Sequence, residues 1–196
     1  MSSALNIMIA GIGGQGIVLA SKIIAQAALA RGLHVRTAET IGMAQRGGSV
    51  ASHVRIGNEI HSPLIPRGTA RVLLAFEPAE AIRHFPYLSA DGAVIVCDMA
   101  IQPTADAYSV DAALSFLKEN VRHLKIISGA ALRRAMESVK TANMIMNMIM
   151  LGAASECGAL PFSADELAAA IRALLPEKYW GINISAICAG RKACHD

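Results

Sequence analysis

Three glycines, Gly11, Gly13 and Gly16, stand at the spacing G-x-G-x-x-G, with an apolar run before them and a helix-like stretch after. That context gives the pattern its chemistry. Without Cβ atoms such a turn bends sharply and admits a phosphate close to its backbone, while the free N–H groups and positive end of the following helix face the anion. Gly14 and Gln15 complete the turn, and Gln15 carries an amide donor and acceptor at its crest, where it could meet a ligand or a partner's backbone. A second cluster, Arg46 followed by Gly47 and Gly48, sets a guanidinium beside exposed backbone, a combination suited to pairing with a carboxylate or phosphate. Glu39, at the end of the next strand, stands where a ribose-binding acid would sit in a dinucleotide fold. The bland alternatives stay open: the turn could simply pack helix on sheet, and Arg46 could be a solvated loop cation.

Other reactive residue types form no constellation. The histidines at 34, 53, 61, 84, 123 and 195 are scattered without metal-ligand spacing and read as surface or satisfied core residues. No G-x-S-x-G elbow surrounds Ser49, Ser52 or Ser128. Cys97, Cys157, Cys188 and Cys194 contain no C-x-x-C pair, and Cys188 and Cys194, six apart, fall on different sides of one helix. Zinc, an iron-sulfur cluster and a disulfide framework all lack support from this spacing. Asn143 and Asn183 are suited to orienting a ligand or, more simply, to capping helices.

The elements that must hold these residues follow from periodicity. Leu5 to Ala10, the glycine turn and Ile17 to Arg31, closed by Gly32 at a C-cap position, make a first strand-turn-helix unit. Val35 to Thr40 is a second strand, followed by the loop Gly42 to Gly48. Ser49 to Ile56 and Glu59 to Leu64 flank Gly57-Asn58, the signature of a two-residue hairpin, so an antiparallel excursion is expected. Arg71 to Phe76 and Ala93 to Asp98 are buried-strand candidates joined by Glu77 to Ala90, whose Pro78 suits a first helical turn. Asp111 to Val121 reads as helix and Leu124 to Ile127 as strand. The last third is helical: Thr141 to Glu156, a helix opened by the capping box Ser163 to Glu166, and Ile182 to Ala193. Met144, Met146, Met148 and Met150 spread around their helix, which suits burial on several sides.

The fold class expected is α/β, a Rossmann-like three-layer arrangement with a mixed, mostly parallel sheet and a helical carboxy-terminal third, over residues 1–196 as one domain. Composition agrees. Hydrophobic residues are 54% of 196 while aromatics are 4%, as helix-covered parallel sheets tend to be. The net charge of +3, from 18 basic and 15 acidic residues, is dispersed and offers no footprint for nucleic acid or membrane. Leu5 to Ala10 lacks the basic flank of a signal peptide, and Met144 to Ala154 is too short to span a bilayer, so a cytoplasmic protein is expected.

Gly11 to Gly16, Ala44 to Ser49 with its Gln45-Arg46-Gly47-Gly48 core, and Ser52 to Ile56 together resemble the gamma-type subunit of 2-oxoacid:ferredoxin oxidoreductases, in the form of the small subunit of indolepyruvate oxidoreductase. The likeness continues through Ser62-Pro63, Asn143, Leu151-Gly152, Asn183 and Gly190. The resemblance implies an assembly that converts a 2-oxoacid and coenzyme A to acyl-CoA and carbon dioxide and passes electrons to ferredoxin. Thiamine diphosphate, its magnesium and the iron-sulfur clusters are expected on a large partner subunit, because this chain lacks the Gly-Asp-Gly motif and the close cysteine series those groups need. No catalytic or metal-binding residue is expected here. The resemblance leaves Gly11, Gly13, Gly14, Gln15, Gly16, Arg46, Gly47 and Gly48 as candidate contacts to CoA or a nucleotide, and a homodimer as a possible form of the isolated chain. A free-standing NAD-dependent oxidoreductase and a nucleotide-binding module without turnover are the competing readings.

Overall fold

A computed structural model describes residues 4–41, 48–100, 108–138 and 145–195. Its elements run β1 (Leu5–Ile12), α1 (Ile17–Ala30), β2 (Val35–Ile41), β3 (Ser49–Ile56), β4 (Ala70–Ala75), α2 (Pro78–His84), β5 (Leu88–Cys97), α3 (Val110–Asn120), β6 (His123–Ile127), α4 (Gly129–Ser138), α5 (Met146–Glu156), α6 (Ala164–Leu174) and α7 (Trp180–Ala193). The strands form one sheet in the order β2-β3-β1-β4-β5-β6. β1, β4, β5 and β6 are mutually parallel, and β3 runs antiparallel to both β1 and β2, so the sheet is mixed and mostly parallel as expected.

Alternation along the central strands divides the core in two. Ile7 and Ile9 of β1, Leu74 of β4 and Ile95 of β5 face α1, α5, α6 and α7. Met8, Ala10, Leu73 and Val94 point the other way, onto Ala81 of α2 and Leu117 of α3. Each fully buried Ile or Leu contributes on the order of 2 kcal/mol of hydrophobic stabilisation. A helix layer on each face of the sheet is the only arrangement that hides both sets.

Helix ends follow the local signals. Gly32, at φ 74°, closes α1: its N–H reaches the Leu29 carbonyl while that of Leu33 reaches Ala28, a complete Schellman motif. The capping box is present at α6, with Ser163 and Glu166 exchanging side-chain bonds to each other's backbone N–H.

Three expectations are corrected. The hairpin at Gly57-Asn58 does not form: β3 pairs with β1 and β2, and Ile56 stands opposite both Leu5 and Val35. β3 is buried on both faces and needs a strand on each side, whereas residues 59–64 include exposed Glu59, His61 and Ser62. Arginines satisfy that segment instead, Arg36 donating to the Ile60 carbonyl at 2.6 Å and Arg55 to that of Ser62 at 2.8 Å. Secondly, α4 was not anticipated, although buried Ala131, Leu132 and Ala135 carry its helical period behind a Ser128 cap. Thirdly, Cys157 and Cys194 form a disulfide across 37 residues. Spacing could not reveal it because α5 and α7 cross almost in contact: a Cβ on Gly152 would lie 2.1 Å from the Ile187 carbonyl oxygen, and one on Gly190 1.9 Å from that of Ile149. This crossing brings the two helix ends together.

The methionine-rich α5 is buried from Met146 to Ala154, on all sides, as its pattern implied. Met144 and Asn143 lie outside the described residues. Among the described residues no helix is long and apolar enough to cross a membrane.

Candidate functional site: the glycine turn and the sheet switch point

β1 delivers the glycine turn to the carboxyl edge of the sheet, and the turn is built by its neighbours. A Cβ on Gly11 would fall 2.5 Å from Gln15 Oε1 and 2.6 Å from Ile17 Cδ1, so any larger residue here has to displace both side chains. Gly16 is the N-cap of α1 at φ 79°, in the left-handed region that glycine adopts without penalty. Asn147 of α5 closes over it, donating from Nδ2 to the Gly16 carbonyl at 3.2 Å. Gly14 is exposed at the crest, with open space around its Cα. The Gly13 N–H donates to the Gly48 carbonyl at 2.8 Å, so the residue that leads into β3 is tied to the turn. Arg46 and Gly47, two and one residues earlier, lie outside the described residues.

Gln15 does not stand free at the crest. It is buried, with Oε1 accepting from the Ile12 N–H at 2.7 Å and Nε2 donating to the Phe76 carbonyl at 3.4 Å. Its amide bridges β1 and the end of β4 just past the last paired residues, Ala10 and Ala75, and so ties the turn to β4. Glu39 is also displaced from its expected role. It is exposed on edge strand β2 opposite Ser52, with β3 inserted between β2 and β1. The insertion carries Glu39 one strand too far from the turn to meet a ribose there.

The connection after β1 places α1 on one face, and that after β4 places α2 on the other. The chain therefore changes direction across the sheet between the two turns, the position where open α/β sheets bind ligands. Beside it, at the start of α2, lies a pair of buried glutamates that sequence reasoning missed. Glu77, 1% exposed, caps α2 by accepting from the Glu80 N–H at 3.0 Å, and its other oxygen accepts the Tyr108 hydroxyl. Burial is the main influence on this carboxyl and pushes its pKa upward. Glu80, also buried, accepts from Ser49 Oγ at 2.5 Å and Arg83 Nε at 3.1 Å. Pro78 at the first helical position was the available signal, but an N-capping glutamate is uncommon and its Tyr108 partner lies 31 residues away in the chain.

His53 is a satisfied core histidine. Its Nδ1 accepts from the Ile65 N–H at 3.1 Å, which assigns the proton to Nε2, and burial followed by the proximity of His84 lowers its pKa. Asn183 donates to the Tyr179 carbonyl at 2.8 Å at the start of α7, a backbone role.

Cysteine chemistry is equally constrained. Cys97 ends β5 as a buried thiol pushed up to about 12 by burial, so it stays protonated and inert. Cys157 and Cys194 are bonded to each other, and Cys188 is exposed on α7. The donor set does not fit an iron-sulfur cluster. Among the described residues no three histidine, cysteine or carboxylate side chains are grouped to hold a metal ion.

The model of the pyruvate ferredoxin/flavodoxin oxidoreductase family matches residues 6–193. A protein of Archaeoglobus fulgidus named indolepyruvate oxidoreductase subunit IorB is 38% identical over 192 residues, 95% of this chain and 93% of the relative. One of the same name from Methanothermobacter thermautotrophicus is 36% identical over 94% of this chain and 95% of its own length. The keto/oxoacid ferredoxin oxidoreductase gamma subunit of Geobacter sulfurreducens superposes with a TM-score of 0.69 at 21% identity, covering 99% of this chain and 98% of that one, and so shares the fold.

Proposed function

Because the chain belongs to the pyruvate ferredoxin/flavodoxin oxidoreductase family, we propose that it is the small subunit of a thiamine diphosphate-dependent 2-oxoacid:ferredoxin oxidoreductase acting on indolepyruvate or a related aryl pyruvate. The assembly oxidises one 2-oxoacid with one CoA to acyl-CoA and carbon dioxide, and the two electrons released reduce ferredoxin. Likeness to indolepyruvate oxidoreductase subunits along nearly the whole chain carries this reading. Thiamine diphosphate, magnesium and the clusters belong to a large partner subunit, where they supply the decarboxylation and the electron path.

This chain contributes binding and orientation. The crest at Gly13 and Gly14 offers backbone at the switch point between β1 and β4, with the positive end of α1 behind it. Arg46 and Gly47 precede Gly48, whose carbonyl is tied to the turn, and supply a cation for an anionic group of CoA. Gln15 and Asn147 keep this surface rigid by filling the turn's own hydrogen bonds. The protein works in the cytoplasm, and the isolated chain forms a homodimer.

Co-expression with a large subunit encoded beside it, followed by affinity capture and an assay of indolepyruvate-dependent dye reduction with CoA and thiamine diphosphate, tests the proposal. The expected result is a complex whose activity disappears when this chain is omitted. Absence of a complex, with NAD-linked turnover by this chain alone, would overturn it.

A further inference from the structure

At the opposite edge of the sheet from the glycine turn, an open groove of about 700 Å³ lies over the amino ends of β4, β5 and β6. Its floor includes the apolar side chains of Val72, Ala93 and Ile95, and residues 157–161, following α5, form one wall. Four basic residues line it: Arg71 at the start of β4, Arg122 just before β6, and His123 and Lys125 on β6. The acidic lining residue is Asp91, whose carboxylate stands 4.0 Å from Arg122 with both side chains more than two-thirds exposed, a pair that solvent screens to almost nothing. The side chains of Arg71, His123 and Lys125 have no hydrogen-bond or ion-pair partner among the described residues.

We propose that this groove docks an acidic, extended segment of the large partner subunit, its carboxylates meeting Arg71, Arg122, His123 and Lys125 while a small apolar side chain covers Ala93. The inference rests on the subunit reading above and adds the surface through which it operates. Charge complementarity selects the occupant. Arg71 on β4 stands two strands, roughly 10 Å, from Arg122, His123 and Lys125 at β6, so one phosphate or carboxylate does not engage the whole set. Several carboxylates along a chain match that spread. The lining contains no Phe, Tyr or Trp ring on which a base could stack, which disfavours single-stranded nucleic acid. β6 ends the strand order and is half-buried over Leu124 to Ile126, so this end of the sheet has apolar surface for a partner to cover. Because groove and glycine turn occupy opposite edges, docking leaves the turn accessible.

The test measures affinity and association rate of the full-length chain for the purified large subunit at low and high salt. It compares wild type, Arg71→Glu, the double variant Arg122→Glu/Lys125→Glu, and Lys22→Glu on the exposed side of α1 as a control. The groove variants are expected to bind roughly tenfold more weakly or worse, mainly through slower association and with a shallower salt dependence, at unchanged melting temperature, while the control binds as wild type. If wild type binds and the groove variants match it, the subunit reading stands and the groove assignment is overturned. If wild type does not bind at any salt concentration, the subunit reading fails and takes this inference with it. Loss of heparin or DNA binding in the variants, with subunit affinity intact, would assign the groove to a polyanion and equally overturn it.

Discussion

Gln15 is the residue on which the site's shape most depends. Leucine at that position leaves the Ile12 N–H without an acceptor inside a buried turn, a loss of about 1–3 kcal/mol. Gln15→Leu should lower the melting temperature and, by loosening the turn, weaken CoA use in the assembled enzyme; an unchanged melting temperature would show that water replaces the amide. Arg46 makes the opposite prediction. On the proposal that Arg46 meets an anionic group of CoA, Arg46→Ala should raise the KM for CoA about tenfold or more in the complex, with little change in kcat or in thermal stability. Equal KM values would remove Arg46 from the site. Sequence revealed the type of these residues but only part of their use: a glutamine amide at a crest and one folded beneath it look identical until Phe76 is brought alongside.

Among elements, two contacts are open to test. Arg31 at the end of α1 grips Glu166 at the start of α6 through two bonds of 2.5 and 2.7 Å. Arg31 and then the Ser163 N–H hold the Glu166 carboxyl at about 2, below its ordinary 4.5. A lowered folded-state pKa means stability that is fully present above pH 4.5 and is lost as pH falls from there through about 2. Both side chains are about a third exposed, so solvent screening limits the pair, with its share of the capping box, to roughly 1 kcal/mol. Glu166→Gln should therefore be less stable than wild type at pH 7, with the gap closing across that acid range in denaturant titrations. The α5–α7 crossing is less forgiving. In Gly190→Ala the added methyl meets the Ile149 carbonyl, a backbone atom that cannot swing aside. Helix separation should cost on the order of 3 kcal/mol, read as a lower midpoint in urea, whereas alanine at exposed Gly181, with open space around it, should stabilise slightly.

For the whole molecule, the disulfide is the chain's one covalent tie between distant elements among the described residues. Closing 37 residues restricts the unfolded chain by about 3–4 kcal/mol in the loop-entropy account. Cys157 is exposed and reachable by dithiothreitol, while Cys194 is buried. Reduction should lower the melting temperature of wild type and leave a Cys157→Ser/Cys194→Ser double variant unmoved. Alkylation of Cys157 as well as Cys188 in the unreduced native protein would show that the helix ends are held by packing alone. The assembly adds a second layer, since a turn at one sheet edge and a basic groove at the other let the proposed subunit meet CoA and its partner at separate places.

The sequence by itself determined the period of every strand and helix that was recognised, the three-layer α/β class, the glycine turn at the end of β1 and the caps at Gly32 and Ser163, because each depends on neighbours within a few residues. Gln45 to Gly48 and the pattern shared with the oxidoreductase subunits were equally legible as strings. Only the tertiary structure decided that β3 lies between β1 and β2, that Gln15 points inward, that Asn147 covers Gly16, that Glu77 and Glu80 are buried, and that Cys157 meets Cys194. These outcomes turn on which segments become neighbours across tens of residues, and that choice is made by the sum of apolar area hidden on the two sheet faces, which no local pattern records.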